Sequence, residues 1–84
     1  MAASRSDIER WLETGKKLGA SHMIVVCDTF DWEDYPVYVY PDQNVRQKSK
    51  ECDDPSTMRN VMEVYSFSHD IEAQLNATQV FNFN

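Results

Sequence analysis

His22-Met23-Ile24-Val25-Val26-Cys27-Asp28 reads as a β-strand that is apolar on both faces. Side chains alternate across a strand, so Ile24 and Val26 point one way while Met23, Val25 and Cys27 point the other. A strand with one wet face would carry a polar residue at every second position; this one does not, which places it centrally in a sheet. Downstream, Val37 and Val39 alternate with Tyr38 and Tyr40 between Pro36 and Pro41, the pattern of a half-buried strand bounded by residues that cannot extend a ladder. The two strands are expected to pair as a hairpin across residues 29–35.

Upstream, Ser6 followed by Glu9 has capping-box spacing and predicts the start of a helix. Ile8, Trp11, Leu12, Gly15 and Leu18 fall on one face of it. Asp7 and Glu9 suit its positive end, Lys16 and Lys17 its negative end, and Gly19 a left-handed stop. Gly15 lies on the apolar face, where glycine costs about 1 kcal/mol relative to alanine, so close packing against a strand is expected. Residues 42–57 are polar and aperiodic and read as a long, weakly ordered loop. Residues 59–67 read as a third strand, with Val61, Tyr65 and Phe67 on one face and Met62 and Val64 on the other. Ser68 is a candidate cap for a short second helix carrying Ile71, Ala73 and Leu75, with Asp70 and Glu72 in its first turn. Residues 78–83 offer Val80, Phe81 and Phe83 as a last strand. The expected fold is α+β: a small antiparallel sheet of about four strands with an N-terminal helix and a short second helix packed on it, in the order α-β-β-β-α-β. The apolar pattern leaves the order of strands within the sheet open.

A length of 84 residues fits a single domain over 1–84. With 42% apolar residues, two Gly and three Pro, the chain is too hydrophobic and too poor in loop formers for a disordered tail. A domain of this size buries only about 60% of the surface its unfolded chain exposes, which leaves room for an oligomer interface to share the burden of stability. Cys27 and Cys52 do not make a disulfide framework and are expected to be reduced. The first seven residues carry no apolar signal-peptide core, and the longest apolar stretch, 23–27, is far too short to cross a bilayer; a cytoplasmic protein is expected. Eight Lys and Arg against 14 Asp and Glu give a net charge of −6, which repels phosphate backbones and anionic lipid heads and argues against direct nucleic-acid or membrane binding.

The most unusual window is Asp28-Thr29-Phe30-Asp31-Trp32-Glu33-Asp34-Tyr35-Pro36, with four carboxylates, three aromatics and no base. It fits a solvated hairpin loop, since Asp and Pro are ordinary turn residues. It fits a binding epitope, with Trp32 and Tyr35 as anchors and Asp31, Glu33 and Asp34 steering toward a protein partner with a basic surface. It also supplies the hard oxygen ligands of a divalent cation site in Asp28, Asp31, Glu33 and Asp34, though without the glycine and spacing of an EF-hand. A second constellation, Arg46, Lys48 and Arg59 with Tyr38 and Tyr40, has the chemistry to hold an anionic nucleotide between subunits of an oligomer. His22 and His69 lack neighbours at zinc spacing, and His22 points away from Cys27 by the alternation of the strand. No phosphate-cradling glycine loop, Ser-centred elbow or CxxC occurs, so binding without catalysis and without a cofactor is expected.

The run Trp11-Leu12-Glu13-Thr14-Gly15, followed by residues 19–39 from Gly19-Ala20-Ser21-His22 through Cys27-Asp28-Thr29-Phe30-Asp31-Trp32-Glu33-Asp34-Tyr35-Pro36-Val37-Tyr38-Val39, resembles a group of short proteins from bacteriophages and bacteria. The likeness covers the first half of the chain; the strand at Met62-Glu63-Val64-Tyr65 and the closing helix and strand match only loosely. It carries no residue role with it. What it implies is a setting, a small cytosolic accessory protein of phage type, for which one common task is to bind and disable a host defence component or its signalling molecule.

Overall fold

The computed structural model describes residues 4–77 and 80–83. Helix α1 (Arg5–Leu18) leads into strands β1 (His22–Asp28) and β2 (Glu33–Val39), helix α2 (Val45–Cys52), a 3-10 turn (Pro55–Thr57), strand β3 (Arg59–Ser66) and helix α3 (Ile71–Asn76). The fold is α+β, with one antiparallel sheet in the order β2-β1-β3. β1 is central, and both its faces are buried, as its composition requires. On one face Ile8 and Leu12 of α1 pack with Met23, Val25 and Tyr65, joined by Ile71 and Leu75 of α3. On the other, Val45 and Cys52 of α2 pack with Ile24, Val26, Val39 and Val64.

Each difference from the expected layout has a local cause. α1 is capped at Ser4, not Ser6: Ser4 Oγ accepts from the Asp7 amide at 3.2 Å and Asp7 Oδ2 accepts from the Ser4 amide at 3.3 Å. These bonds hold the Asp7 carboxyl below its usual range. Gly19 ends the helix in the left-handed conformation, φ 77°. Leu18 is exposed and not part of the apolar face. Gly15 does sit against the sheet: a Cβ there would lie 2.7 Å from the Phe67 and Tyr38 rings.

The hairpin is tighter than expected, because β2 begins at Glu33 and includes Tyr35 and Pro36. The Val39 carbonyl accepts from Ser21 N–H, so the odd-numbered residues of β2 bond toward β1 and Pro36 falls in the set facing away, where no N–H is needed. In β3 a bulge leaves Met62 without a partner between Glu63, opposite Val25, and Val61, opposite Val26. The extra residue flips the alternation, so Val61 shares the α2 face with Val64 and not the α1 face with Tyr65 and Phe67.

The long loop expected over 42–57 holds α2 and the 3-10 turn. Asn44 caps α2 by accepting from the Gln47 amide at 3.1 Å, and Val45, Ser49 and Cys52 recur at helical spacing on its buried side. With one of those three a serine, the apolar signal was too faint to read as a helix. α3 is capped by Asp70 and not Ser68. The described sheet has three strands and not four. Of the expected last strand, Thr78 and Gln79 lie outside the described residues, and Phe81 makes an isolated parallel bridge to Val64.

The outer edge of β3 is closed along its length. Arg59 N–H donates to the Asp54 carbonyl at 3.0 Å, Val64 N–H donates to the Val80 carbonyl at 2.8 Å, and Asn82 N–H donates back to Val64 at 3.0 Å. At Ser66 the buried Gln74 side chain stands in for a neighbouring strand: its Oε1 accepts from Ser66 N–H at 2.8 Å and its Nε2 donates to Ser66 C=O at 2.9 Å. Asn82 Nδ2 completes the carboxamide with a 2.8 Å bond to Oε1. Among the described residues no helix is long and apolar enough to cross a membrane.

Candidate functional site

The acidic aromatic window forms the turn between β1 and β2 and the first residues of β2. Asp28 builds the turn: its Oδ1 accepts from Phe30 N–H at 2.9 Å and its carbonyl from Trp32 N–H at 2.6 Å. The turn closes with Trp32 in the left-handed region, φ 57°, a conformation that bulky residues rarely hold. Its indole does not fold back on the protein. Trp32 is 63% exposed and Phe30 72% exposed, with Asp31 and Glu33 exposed beside them.

The remaining members of the window go elsewhere. Register pairs Glu33 with Asp28 and Tyr35 with Val26 on the α2 face, whereas Asp34 pairs with Cys27 on the α1 face. Tyr35 is half-buried against the α2-side cluster, so its ring serves the core as well as the surface. Asp34 is half-buried opposite Cys27; burial first, then the neighbouring Asp34 carboxylate, pushes the thiol up from its ordinary pKa. A nucleophile needs the opposite shift. Cys52 is raised by burial as well and lies on the other face of the sheet, so the two thiols cannot meet. The alternation of β2 thus divides the four carboxylates between two faces and the turn. Among the described residues no group of three or more His, Cys, Asp or Glu could hold a metal ion.

The nucleotide constellation is dispersed in the same way. Tyr38 lies beneath α1, its hydroxyl donating to the Trp11 carbonyl at 2.7 Å, and burial raises its pKa. Tyr40 follows β2, its N–H donating to Gln43 Oε1 at 3.0 Å. Arg46 and Lys48 are on α2, where the Arg46 guanidinium rests 4.7 Å from the centre of the Phe83 ring. Arg59 is at the far end of the sheet, with Nη2 on the Glu51 carbonyl at 3.2 Å and Nε on Thr57 Oγ1 at 3.0 Å.

A residue that sequence reading missed lies next to the turn. Met58, 48% exposed, holds φ 59° at the end of the 3-10 turn, and its carbonyl accepts from Thr29 N–H at 2.8 Å. The described non-glycine residues at positive φ are therefore two large apolar residues on neighbouring loops, both at the end of the sheet where β1 finishes. Comparison with models of protein families, with curated proteins and with solved structures finds no match.

Proposed function

We propose that this chain acts by stoichiometric, non-catalytic binding of a protein with a basic surface, using the turn between β1 and β2. The carrying observation is that Trp32, the residue type most enriched at interaction hot spots, is held 63% exposed between the exposed carboxylates of Asp31 and Glu33. An indole exposed on an ordinary loop has nothing to gain from water; its value lies in the area it loses when covered. The carboxylates steer a cationic partner and make association sensitive to salt. Asp34 contributes to this negative field from the opposite face, and Tyr35 supports the turn from below as a half-buried anchor. The resemblance to phage proteins supplies the setting, in which the partner is a component of host defence.

The test is direct. A partner recovered from host lysate, identified and purified, is titrated calorimetrically against the wild type and the Trp32→Ala/Asp31→Asn double variant. The variant should bind at least tenfold more weakly, and wild-type affinity should fall as salt is raised. Equal affinity for the two proteins refutes it.

A further inference from the structure

The negative rim of the turn continues on the neighbouring loop. Asp53 and Asp54 follow α2, and Asp54 Oδ1 accepts from the Ser56 amide at 3.0 Å and Ser56 Oγ at 2.7 Å, nucleating the 3-10 turn. Those bonds hold its carboxyl below the usual range, so it stays charged well into acid. The same turn delivers Met58, and the bond from Thr29 N–H to its carbonyl places it beside the hairpin. We infer that Trp32, Phe30 and Met58 form one composite docking surface, and that its occupant is a protein segment with an apolar ridge flanked by lysines or arginines.

This rests on the proposed binding function and extends it from one loop to two. Three large apolar side chains are exposed at the end of β1, at 72% for Phe30, 63% for Trp32 and 48% for Met58. Aromatic and methionine side chains are enriched at interface cores, where they lose the most area per residue. Beside the two rings lie the exposed Asp31 and Glu33, and the loop that delivers Met58 carries Asp54 and also Asp53, whose Oδ1 accepts from Val61 N–H at 3.4 Å on the outer edge of β3. The one base on that loop, Arg59, bonds the Glu51 carbonyl and Thr57 hydroxyl and sits near Asp54, so four carboxylates against one guanidinium leave this end negative. A second copy of this chain would bring the same carboxylates against these, and nucleic acid or an anionic bilayer would bring phosphates. Charge therefore selects a cationic protein segment, and the exposed rings and thioether select one that also has an apolar ridge.

The probe is a synthetic amphipathic peptide with leucines on one face flanked by lysines, with two controls: glutamates in place of the lysines, and serines in place of the leucines. Binding is followed by NMR at the Met58 methyl and the Trp32 indole N–H, with the fully buried Met23 methyl as internal reference. Met58→Asn and Trp32→Asn are the test variants, because Asn accepts the left-handed conformation and keeps the loops folded. The lysine–leucine peptide shifts Met58 and Trp32 but not Met23, the controls shift neither, and Met58→Asn weakens binding about tenfold. If Trp32 responds while Met58 is silent and Met58→Asn binds like wild type, the composite surface is wrong and docking through the hairpin alone survives. Silence at both positions overturns both readings. Equal binding of either control overturns the assignment of the occupant, and so does a concentration-dependent shift of the same signals without peptide, which would make the occupant a second copy.

Discussion

The two ends of the sheet treat their residues in opposite ways. Where β1 begins, three special residues serve the protein's own packing: Gly15 lets α1 approach Tyr38 and Phe67, the Tyr38 hydroxyl reaches the Trp11 carbonyl, and Gln74 completes the edge of β3 at Ser66. Where β1 ends, large apolar side chains face water and two of them sit on backbone that glycine or asparagine would hold more cheaply. Folding explains these three residues of the first end, where Leu18 is the exposed apolar side chain but sits on ordinary helical backbone. It does not explain the second, and residues that oppose folding without a local return point to selection for something outside the chain.

The largest effect is expected at Gln74. Gln74→Leu removes the acceptor of the Ser66 N–H and a donor to the Ser66 C=O, which keeps the His69 N–H at 3.4 Å, and Asn82 Nδ2 loses its acceptor. A buried N–H that loses its acceptor costs about 1–3 kcal/mol and the lost Asn82 bond adds to it, so urea denaturation should show a loss of about 2–3 kcal/mol. A loss below about 1 kcal/mol would mean that the edge can find other partners, and the described closure of β3 would not be what holds it.

Gly15→Val comes next. The added Cβ meets the Phe67 and Tyr38 rings at 2.7 Å, which forces one ring from its place. Overpacking costs about 1–3 kcal/mol, and the gain in helix propensity over glycine returns only a few tenths for a β-branched residue. The expected net is a destabilisation of about 1–2 kcal/mol in the same denaturation experiment. An unchanged midpoint would show that α1 can slide on the sheet.

These two positions also show what was legible in the sequence. The apolar run of β1 has no polar alternation to misread, so its span and central place followed from composition, and Gly15 stood out because nothing but close approach justifies glycine on an apolar helical face. The bulge at Met62 did not show, since Val61 and Val64 share a face only if one residue is left unpaired, and that is a property of the pairing with β1. α2 was hidden because its buried positions are a valine, a serine and a cysteine. At the candidate site the composition of the turn was legible and its exposure was not. Met58 was invisible in principle: it joins the turn through the Thr29 amide, a tertiary bond between residues far apart in sequence.

At the other end of the sheet the sign reverses. Trp32→Asn removes the cost of holding a bulky side chain at φ 57° and should stabilise the protein by about 0.5–1 kcal/mol while abolishing partner binding. Thermal unfolding of the variant checks it. A variant less stable than wild type would mean that the indole packs on its own chain, and the contrast between the two ends would lose its strongest support.

The smallest effect lies between the two ends. Glu63 faces the α1 side opposite Val25, half-buried, its Oε1 accepting from the Tyr65 hydroxyl at 3.0 Å. Burial raises its carboxyl above the ordinary glutamate range; the Tyr65 bond opposes that and the nearby Asp34 charge adds to it. The carboxyl therefore keeps its proton longer folded than unfolded, so its contribution to stability is fully present below the ordinary glutamate pKa and is lost as pH rises through the folded value. Glu63→Gln still accepts from Tyr65 and has no charge to bury. It should match the wild type in acid and become the more stable protein toward neutral pH, by no more than a few tenths of a kcal/mol because solvent screens a half-buried group. Denaturation midpoints of both proteins measured across that range decide the point: parallel curves would show that the Glu63 charge is as well hydrated in the folded chain as outside it, and that the wet end of the sheet reaches further inward than the packing suggests.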